Sequence, residues 1–391
     1  MSGPRKICVV TGSRADYGHL QPVMRAIAED PALQLQVIAC GQHLDTRFGE
    51  TWKAIVADGF VLDARVDLAL GDDSRLATAQ ATGRAVSGLA EALSRLAPDI
   101  VLVLGDRFEI LATGIAALIL HIPLAHIHGG EVTEAAMDDA MRHALSKIAA
   151  LHFVAAEPYR ARLMAMGEDP ARVVVSGAPG LDHLDTMTFL SRAAVSQSLG
   201  ISVSQPLFVA TYHPVTLQAD GGAAAMTALL SALSDYPTAT LVFTGVNSDP
   251  GHAGLQSQIS AFVAAHPSHR VAVASLGQQR YLSAIKIADA VVGNSSSGII
   301  EAPALGVPTV NIGDRQKGRL RSGSVIDCGE NPSEIRAALA KALSPAFRRT
   351  AATAPSAYGR GGAAAKIVAG LKTWPLAQLS AKPFFDIMPR S

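Results

Sequence analysis

The sequence predicts an α/β protein built from two Rossmann-like, doubly wound domains facing each other across a cleft. Three observations carry this expectation. Short, near-continuous apolar runs rich in β-branched residues recur along the chain, as in parallel strands covered on both faces. Segments of helical spacing separate them. At 391 residues the chain is too long for one ordinary domain, and Ser176-Gly177-Ala178-Pro179-Gly180 near its middle suits a hinge. The expected division is a first domain at 1–180, a second at 181–372 and a tail at 373–391.

In the first half, strands are expected at 7–11, 35–39, 100–104, 124–128, 151–155 and 173–175. Leu20, Val23, Met24 and Ile27 recur at i, i+3, i+4 and i+7, and Leu89, Leu93 and Leu96 repeat similarly until Pro98 stops the helix. Strands at 207–210, 241–243, 271–274, 290–292 and 309–312 continue the theme. Residues 110–127 contain no Asp, Glu, Lys or Arg, yet Pro123 would break a membrane-spanning helix. A buried helix followed by a buried strand is expected there instead. The tail has no chemical signal, but Phe384, Phe385 and Ile387 make it apolar enough to pack.

Composition excludes whole classes of function. With 49% hydrophobic and 17% charged residues the chain can bury large cores, and it is not a disordered protein. Lys plus Arg number 33 and Asp plus Glu 33, so bulk charge does not draw it to nucleic acid or an anionic membrane. Cys8, Cys40 and Cys328 are widely spaced and form no CxxC pair, which fits reduced thiols of a cytoplasmic protein.

Ligands of open parallel sheets sit beyond the carboxyl ends of strands, so chemistry is expected in the turns. Gly12-Ser13-Arg14-Ala15-Asp16 leads into a helix, with Arg14 able to grip a phosphate. The plainer reading makes Asp16 a helix cap. No GxGxxG fingerprint supports a nicotinamide cofactor. Asp106 follows the 100–104 strand, either as an N-cap or as an acid or base at the cleft. In His126-Ile127-His128-Gly129-Gly130-Glu131, strand alternation would put both histidines on one side, and the glycines would admit a ligand. Without a further ligand cluster, no metal is expected. Asp138 and Arg142 share a helix face, either as a surface ion pair or at the cleft mouth.

In the second half His213 follows a strand. Gly293-Asn294-Ser295-Ser296-Ser297-Gly298 combines hydroxyls with a helix N-terminus, a phosphate cradle. Glu301, one turn on, can accept two hydrogen bonds from a ribose diol, or simply complement the helix dipole. Arg315, Lys317 and Arg319 supply three cations in five residues. A diphosphate ligand explains them better than a solvated loop does.

Taken in order, GSRADYG, GQHL with His43, GDRFE, HIHGGE, DDAMRHA, HPVT, GNSSSGIIEAP and GDRQKGR resemble the hydrolysing UDP-N-acetylglucosamine 2-epimerases of sialic-acid-type sugar biosynthesis. The resemblance runs from Ile7 to about Leu371. It implies a glycosyltransferase-B type fold, a UDP-sugar substrate, no cofactor and a homodimer or homotetramer. It also implies a reaction: C2-proton removal with loss of UDP, then hydration to a free sugar with inverted C2. Asp106 and Asp138 match the family's catalytic acidic positions. Arg14, His213, Ser295, Ser296 and Glu301 match its UDP-binding ones, with Asp16, His43, Arg142, Ser297, Arg315 and Arg319 beside them. The chain departs from many members by carrying His128 where they have a catalytic Glu, so the C2 base is His128 or Glu131. Its loop from Glu131 to Asp138 is also one residue longer than in the animal enzymes. UDP-N-acetylglucosamine is the first substrate expected. The alternative is UDP-N,N'-diacetylbacillosamine, the 2,4-diacetamido sugar of the legionaminic acid route. A UDP-sugar glycosyltransferase, a non-hydrolysing epimerase and a non-catalytic nucleotide-sugar sensor remain lower alternatives.

Overall fold

The computed structural model describes residues 3–72, 74–133, 137–213, 222–245, 252–273 and 276–386. Pro214, Ala274, Ile387 and residues 134–136 of the longer loop lie outside them. Two compact units form, one from Met1–Asp185 with Gly359–Ser391, the other from Thr186–Tyr358.

The first unit holds a parallel sheet of seven strands: β1 (Arg5–Thr11), β2 (Leu33–Cys40), β3 (Ala64–Val66), β4 (Ile100–Leu104), β5 (Leu124–Ile127), β6 (Leu151–Val154) and β7 (Val173–Val175). Their order is β3-β2-β1-β4-β5-β6-β7. Alternation explains the continuous apolar runs. Ile7 and Val9 of β1 join one buried cluster with Ile100 and Leu102 of β4. Cys8 and Val10 face the opposite cluster with Val101 and Val103. Both faces are covered, so the middle of β1 and of β4 is apolar on each side.

The second unit repeats the plan with β8 (Leu207–Thr211), β9 (Thr240–Thr244), β10 (Arg270–Val273), β11 (Ala290–Gly293), β12 (Thr309–Ile312) and β13 (Val325–Cys328), ordered β10-β9-β8-β11-β12-β13. Two strands escape the sequence pattern, β3 and β13. Both are sheet edges, and Arg65 and Asp327 interrupt their apolar runs. Residues 110–127 fold as the helix Phe108–Ile119 followed by β5, as expected. Among the described residues no helix is long and apolar enough to cross a membrane.

The helix Arg14–Glu29 buries Leu20, Val23, Met24 and Ile27 completely. Pro22 inside it has no N–H for the carbonyl of Gly18, four residues back. His183 Nε2 meets that carbonyl at 3.0 Å and satisfies it.

The expected boundary at 180 and the assignment of 181–372 to one domain are corrected here. The chain returns to the first unit at Gly359. The apolar stripe Ile367, Val368 and Leu371 of the helix Ala363–Thr373 is buried in the first unit's core. Asp182 caps that helix, accepting from the amides of Ala363 at 2.9 Å and Ala364 at 2.6 Å. The partner of an amphipathic stripe is a tertiary fact that linear order does not reveal.

The tail packs as well. Arg172 donates to the carbonyls of Gln378 and Ala381, and Phe385 N–H to Gly167. Lys382 Nζ donates to the carbonyls of Ser146 and Lys147 and lies 2.6 Å from Glu168. Glu168 is fully buried, bonded also by Lys147 at 2.7 Å and His152 at 3.0 Å. Burial alone would push its carboxyl up. The three donors outweigh that and pull its pKa down to about 2. A carboxyl lowered in the folded state stabilises above its unfolded value, about 4.3, and the contribution is lost as pH falls through about 2. Glu168→Gln should therefore cost about 3 kcal/mol or more in urea unfolding at neutral pH, by leaving the half-buried ammonium of Lys382 without its carboxylate. It should also flatten the stability decline expected of the wild type between these two pH values. An unchanged urea midpoint would contradict this account of the tail's anchor.

Candidate functional site

In each sheet the chain order reverses once, between β1 and β4 and between β8 and β11. Ligands of open α/β sheets bind beyond the carboxyl ends of strands at such a point. Most residues singled out from the sequence stand at these two places.

After β1, Asp16 organises the turn. Its carboxylate accepts from Gly12 N–H at 2.8 Å, Ser13 N–H at 2.7 Å, Thr11 Oγ1 at 2.9 Å and also from Ser13 Oγ. The cap itself is Ser13, which corrects the plainer reading: Asp16, at the third helical position and buried under the turn, completes a capping box with it. Arg14 stands exposed in the first helical turn. His43 is fully buried behind the turn, its Nε2 3.0 Å from Thr11 Oγ1 and its Nδ1 2.8 Å from Thr51 Oγ1. Burial pushes its pKa down, against the pull of Asp16. With both nitrogens engaged inside, His43 supports the turn and does not line its surface.

After β4, Asp106 meets Arg142 of the helix Met137–Ile148. Arg142 Nη2 donates to Asp106 Oδ2 and, at 2.9 Å, to Thr133 Oγ1. Its Nη1 lies 3.5 Å from Asp139 Oδ1. The expected Asp138–Arg142 pairing is replaced by these contacts, because the buried guanidinium points toward β4. Asp138 is half-buried. Burial pushes its carboxyl up, the charge of Asp106 adds to this, and Arg107 and Arg142 pull the other way. Asp138 can therefore keep a proton to higher pH than an ordinary carboxyl.

Sequence reasoning passed over two neighbours in the same motif. Glu109 is fully buried and accepts from Arg107 Nε at 2.6 Å. A Cβ on Gly12 would overlap its carboxyl, so glycine is required there. The signal was Glu109's place one turn into the helix after Asp106, facing a glycine turn.

After β5 the expected histidine pair separates. The strand ends at Ile127, and His128 adopts a left-handed conformation with φ 65°. His126 stays inside, its Nε2 2.7 Å from the Gly105 carbonyl and its Nδ1 3.3 Å from Ser146 Oγ. Burial pushes it down to about 3. His128 turns its Nδ1 to Glu131 Oε1, at 2.6 Å. The two glycines serve packing: a Cβ on Gly129 would crowd Ser146 Oγ, and one on Gly130 would overlap the Tyr159 carbonyl. That corrects the expectation that they admit a ligand.

In the second unit Asn294 braces the switch point. It accepts from His213 N–H at 2.6 Å and donates to the His213 carbonyl at 2.9 Å. Its own carbonyl accepts from Arg315 Nη1 at 3.2 Å and Gln316 Nε2 at 2.9 Å. This fixes His213, the serine turn and the cationic loop relative to one another. Burial, then Arg315, push His213 down to about 4. Ser295 caps the single turn Ser296–Gly298 by accepting from Ser297 N–H at 3.4 Å. Glu301 opens the short helix Glu301–Ala304, and Arg319 sits half-buried in the loop beyond β12. Tyr281, which sequence reasoning missed, shares hydrogen bonds with Ser295, Ser297 and Thr211; nothing local in its helix signals this.

A family model described as UDP-N-acetylglucosamine 2-epimerase matches residues 25–372. The chain belongs to that family. It is 38% identical over 323 residues to the hydrolysing GDP/UDP-N,N'-diacetylbacillosamine 2-epimerase of Campylobacter jejuni, covering 83% of this chain and 84% of that protein. It is 34% identical over 373 residues to the hydrolysing UDP-N,N'-diacetylbacillosamine 2-epimerase of Legionella pneumophila, covering 95% and 97%. Among solved structures, the Neisseria meningitidis UDP-GlcNAc 2-epimerase bound to UDP-GlcNAc superposes with a TM-score of 0.81 at 20% identity, covering 94% of this chain and 99% of that one. That likeness shows the fold, which is of the glycosyltransferase-B type.

Gly293 closes the second unit's turn with φ 128°, and a Cβ there would overlap the Thr211 carbonyl. Gly293→Ala should lower the stability of the second unit by about 1–3 kcal/mol through backbone strain. A thermal melt that superposes on the wild type would contradict this.

Proposed function

We propose that the chain is a hydrolysing 2-epimerase of a UDP-linked 2-acetamido sugar, and that its preferred substrate is UDP-N,N'-diacetylbacillosamine. The observation that carries the reading is the pairing of acid–base groups at the first switch point: Asp106 gripped by Arg142 beside Asp138, whose carboxyl is pushed up. Such a pair suits proton transfer at a carbon next to a leaving group. The names of the two relatives support the choice of sugar.

The reaction has two stages. The C2 proton passes to an enzyme base, its electron pair forms the C1–C2 double bond, and the C1–O bond breaks with its pair leaving on UDP. Water then adds its oxygen to C1 while C2 receives a proton on the opposite face. Asp138 is suited to return that proton, since it holds one to higher pH. Arg14, Arg315 and Arg319 would neutralise the departing diphosphate. Ser295, Ser296, Ser297 and His213 would donate to it, and Glu301 would accept from the ribose diol. No cofactor is called for by this chemistry.

The experiment is NMR of the products from UDP-N,N'-diacetylbacillosamine and UDP-N-acetylglucosamine in deuterated water. UDP and a free 2-epimer carrying deuterium at C2 are expected, with the higher kcat/KM for the diacetamido sugar. UDP release only on adding an acceptor would make the chain a glycosyltransferase. A product still joined to UDP would make it a non-hydrolysing epimerase. A higher kcat/KM for UDP-N-acetylglucosamine would overturn the substrate assignment.

A further inference from the structure

The groups around His128 bear on which residue takes the C2 proton. Its Nδ1 lies 2.6 Å from Glu131 Oε1, and the Glu131 side chain is only 7% exposed. A carboxylate so placed accepts from Nδ1–H and thereby leaves the lone pair on Nε2. Nε2 has no hydrogen-bond partner among the described residues, and the side chain keeps 14% exposure. The ring is also locked. The left-handed backbone of His128, costly for a residue with a Cβ, swings it out of β5. His19 of the helix Arg14–Glu29 then packs against it edge-on, with ring centroids 6.3 Å apart.

Resting on the function proposed above, we propose that His128 and Glu131 act as a dyad, with His128 Nε2 as the C2 base and Glu131 as the residue that orients it. Nε2 takes the C2 proton as the C1–O bond breaks toward UDP. The resulting imidazolium donates from Nδ1 to the Glu131 carboxylate, so the charge forms where its partner already stands.

The groups facing His128 decide how the dyad titrates. They are Glu131, His19 and His126, with His183 beyond His19. Burial, and then the His128 charge, push His19 down to about 4, and His126 lies at about 3. Neither gains a proton across the working range above those values. Asp106 and Asp138 contribute equally to a wild-type and a dyad variant.

The test is the pH profile of kcat/KM with UDP affinity measured alongside. Glu131→Gln removes the charge that favours imidazolium, so its acid limb should move to lower pH while kcat falls. His128→Gly, which the left-handed backbone tolerates, should lose about 10²–10⁴ in kcat with UDP affinity nearly unchanged, and added imidazole should restore part of it. His128→Glu should retain turnover with its acid limb displaced to lower pH, since a carboxyl titrates below an imidazole. Wild-type turnover by His128→Gly, or acid limbs that coincide in the wild type, Glu131→Gln and His128→Glu, would overturn the dyad. In either case the wild type still releases UDP and free 2-epimer if the function is right, so the two readings fail separately.

Discussion

The site in the first unit depends on one buried ion pair. Arg142 is almost inaccessible to solvent and must find anions inside the protein. It finds Asp106 at the end of β4, Asp139 on its own helix and the hydroxyl of Thr133. Because a buried guanidinium without a partner is so costly, the pair ties the helix Met137–Ile148 to the sheet edge where Asp106 emerges. Asp138 is carried with it. The other end of that helix is held by Lys382, which donates to its last carbonyls, and by Ser146, which meets His126. The helix that carries Asp138 is thus fixed by charge at one end and by hydrogen bonds at the other.

The second unit meets the same requirement with a neutral group. Asn294 is fully buried and satisfied from four directions, holding His213 on one side and the Arg315–Gln316 loop on the other. Both units place their polar chemistry where the strand order reverses, because only there do two neighbouring turns diverge and leave backbone groups for a ligand. The two halves share an architecture and brace their turns differently, the first with the Asp106–Arg142 ion pair and the second with the Asn294 amide.

Much of this was legible in the sequence. Continuous apolar runs such as Ile7–Val10 can only be strands covered on both faces, and they gave the two sheets. The turns after β1, β4, β5, β8 and β11 could be found from Gly, Ser and charged residues alone. Most of the illegible features share one cause, a partner distant in the chain. Arg142 was matched with Asp138 by helical spacing, yet it reaches Asp106, 36 positions away. The helix Ala363–Thr373 was placed with its neighbours in sequence and packs instead against Arg14–Glu29. His43 and the glycines of HIHGGE were read as facing a ligand, whereas burial and close contacts show that they support the turns from behind. The separation of His126 from His128 hinged on a single positive φ that no alternation pattern foretells.

The central claim is that Asp106, held by Arg142, is a chemical group and not merely the counter-ion of a buried guanidinium. Turnover and UDP affinity of Asp106→Asn, determined on one preparation, test it most directly. Asparagine keeps the shape and an acceptor for Arg142 but loses the proton chemistry. The account predicts a kcat lower by about 10²–10⁴ with UDP affinity within a few-fold of the wild type. An Asp106→Asn protein that turns over at the wild-type rate would contradict it.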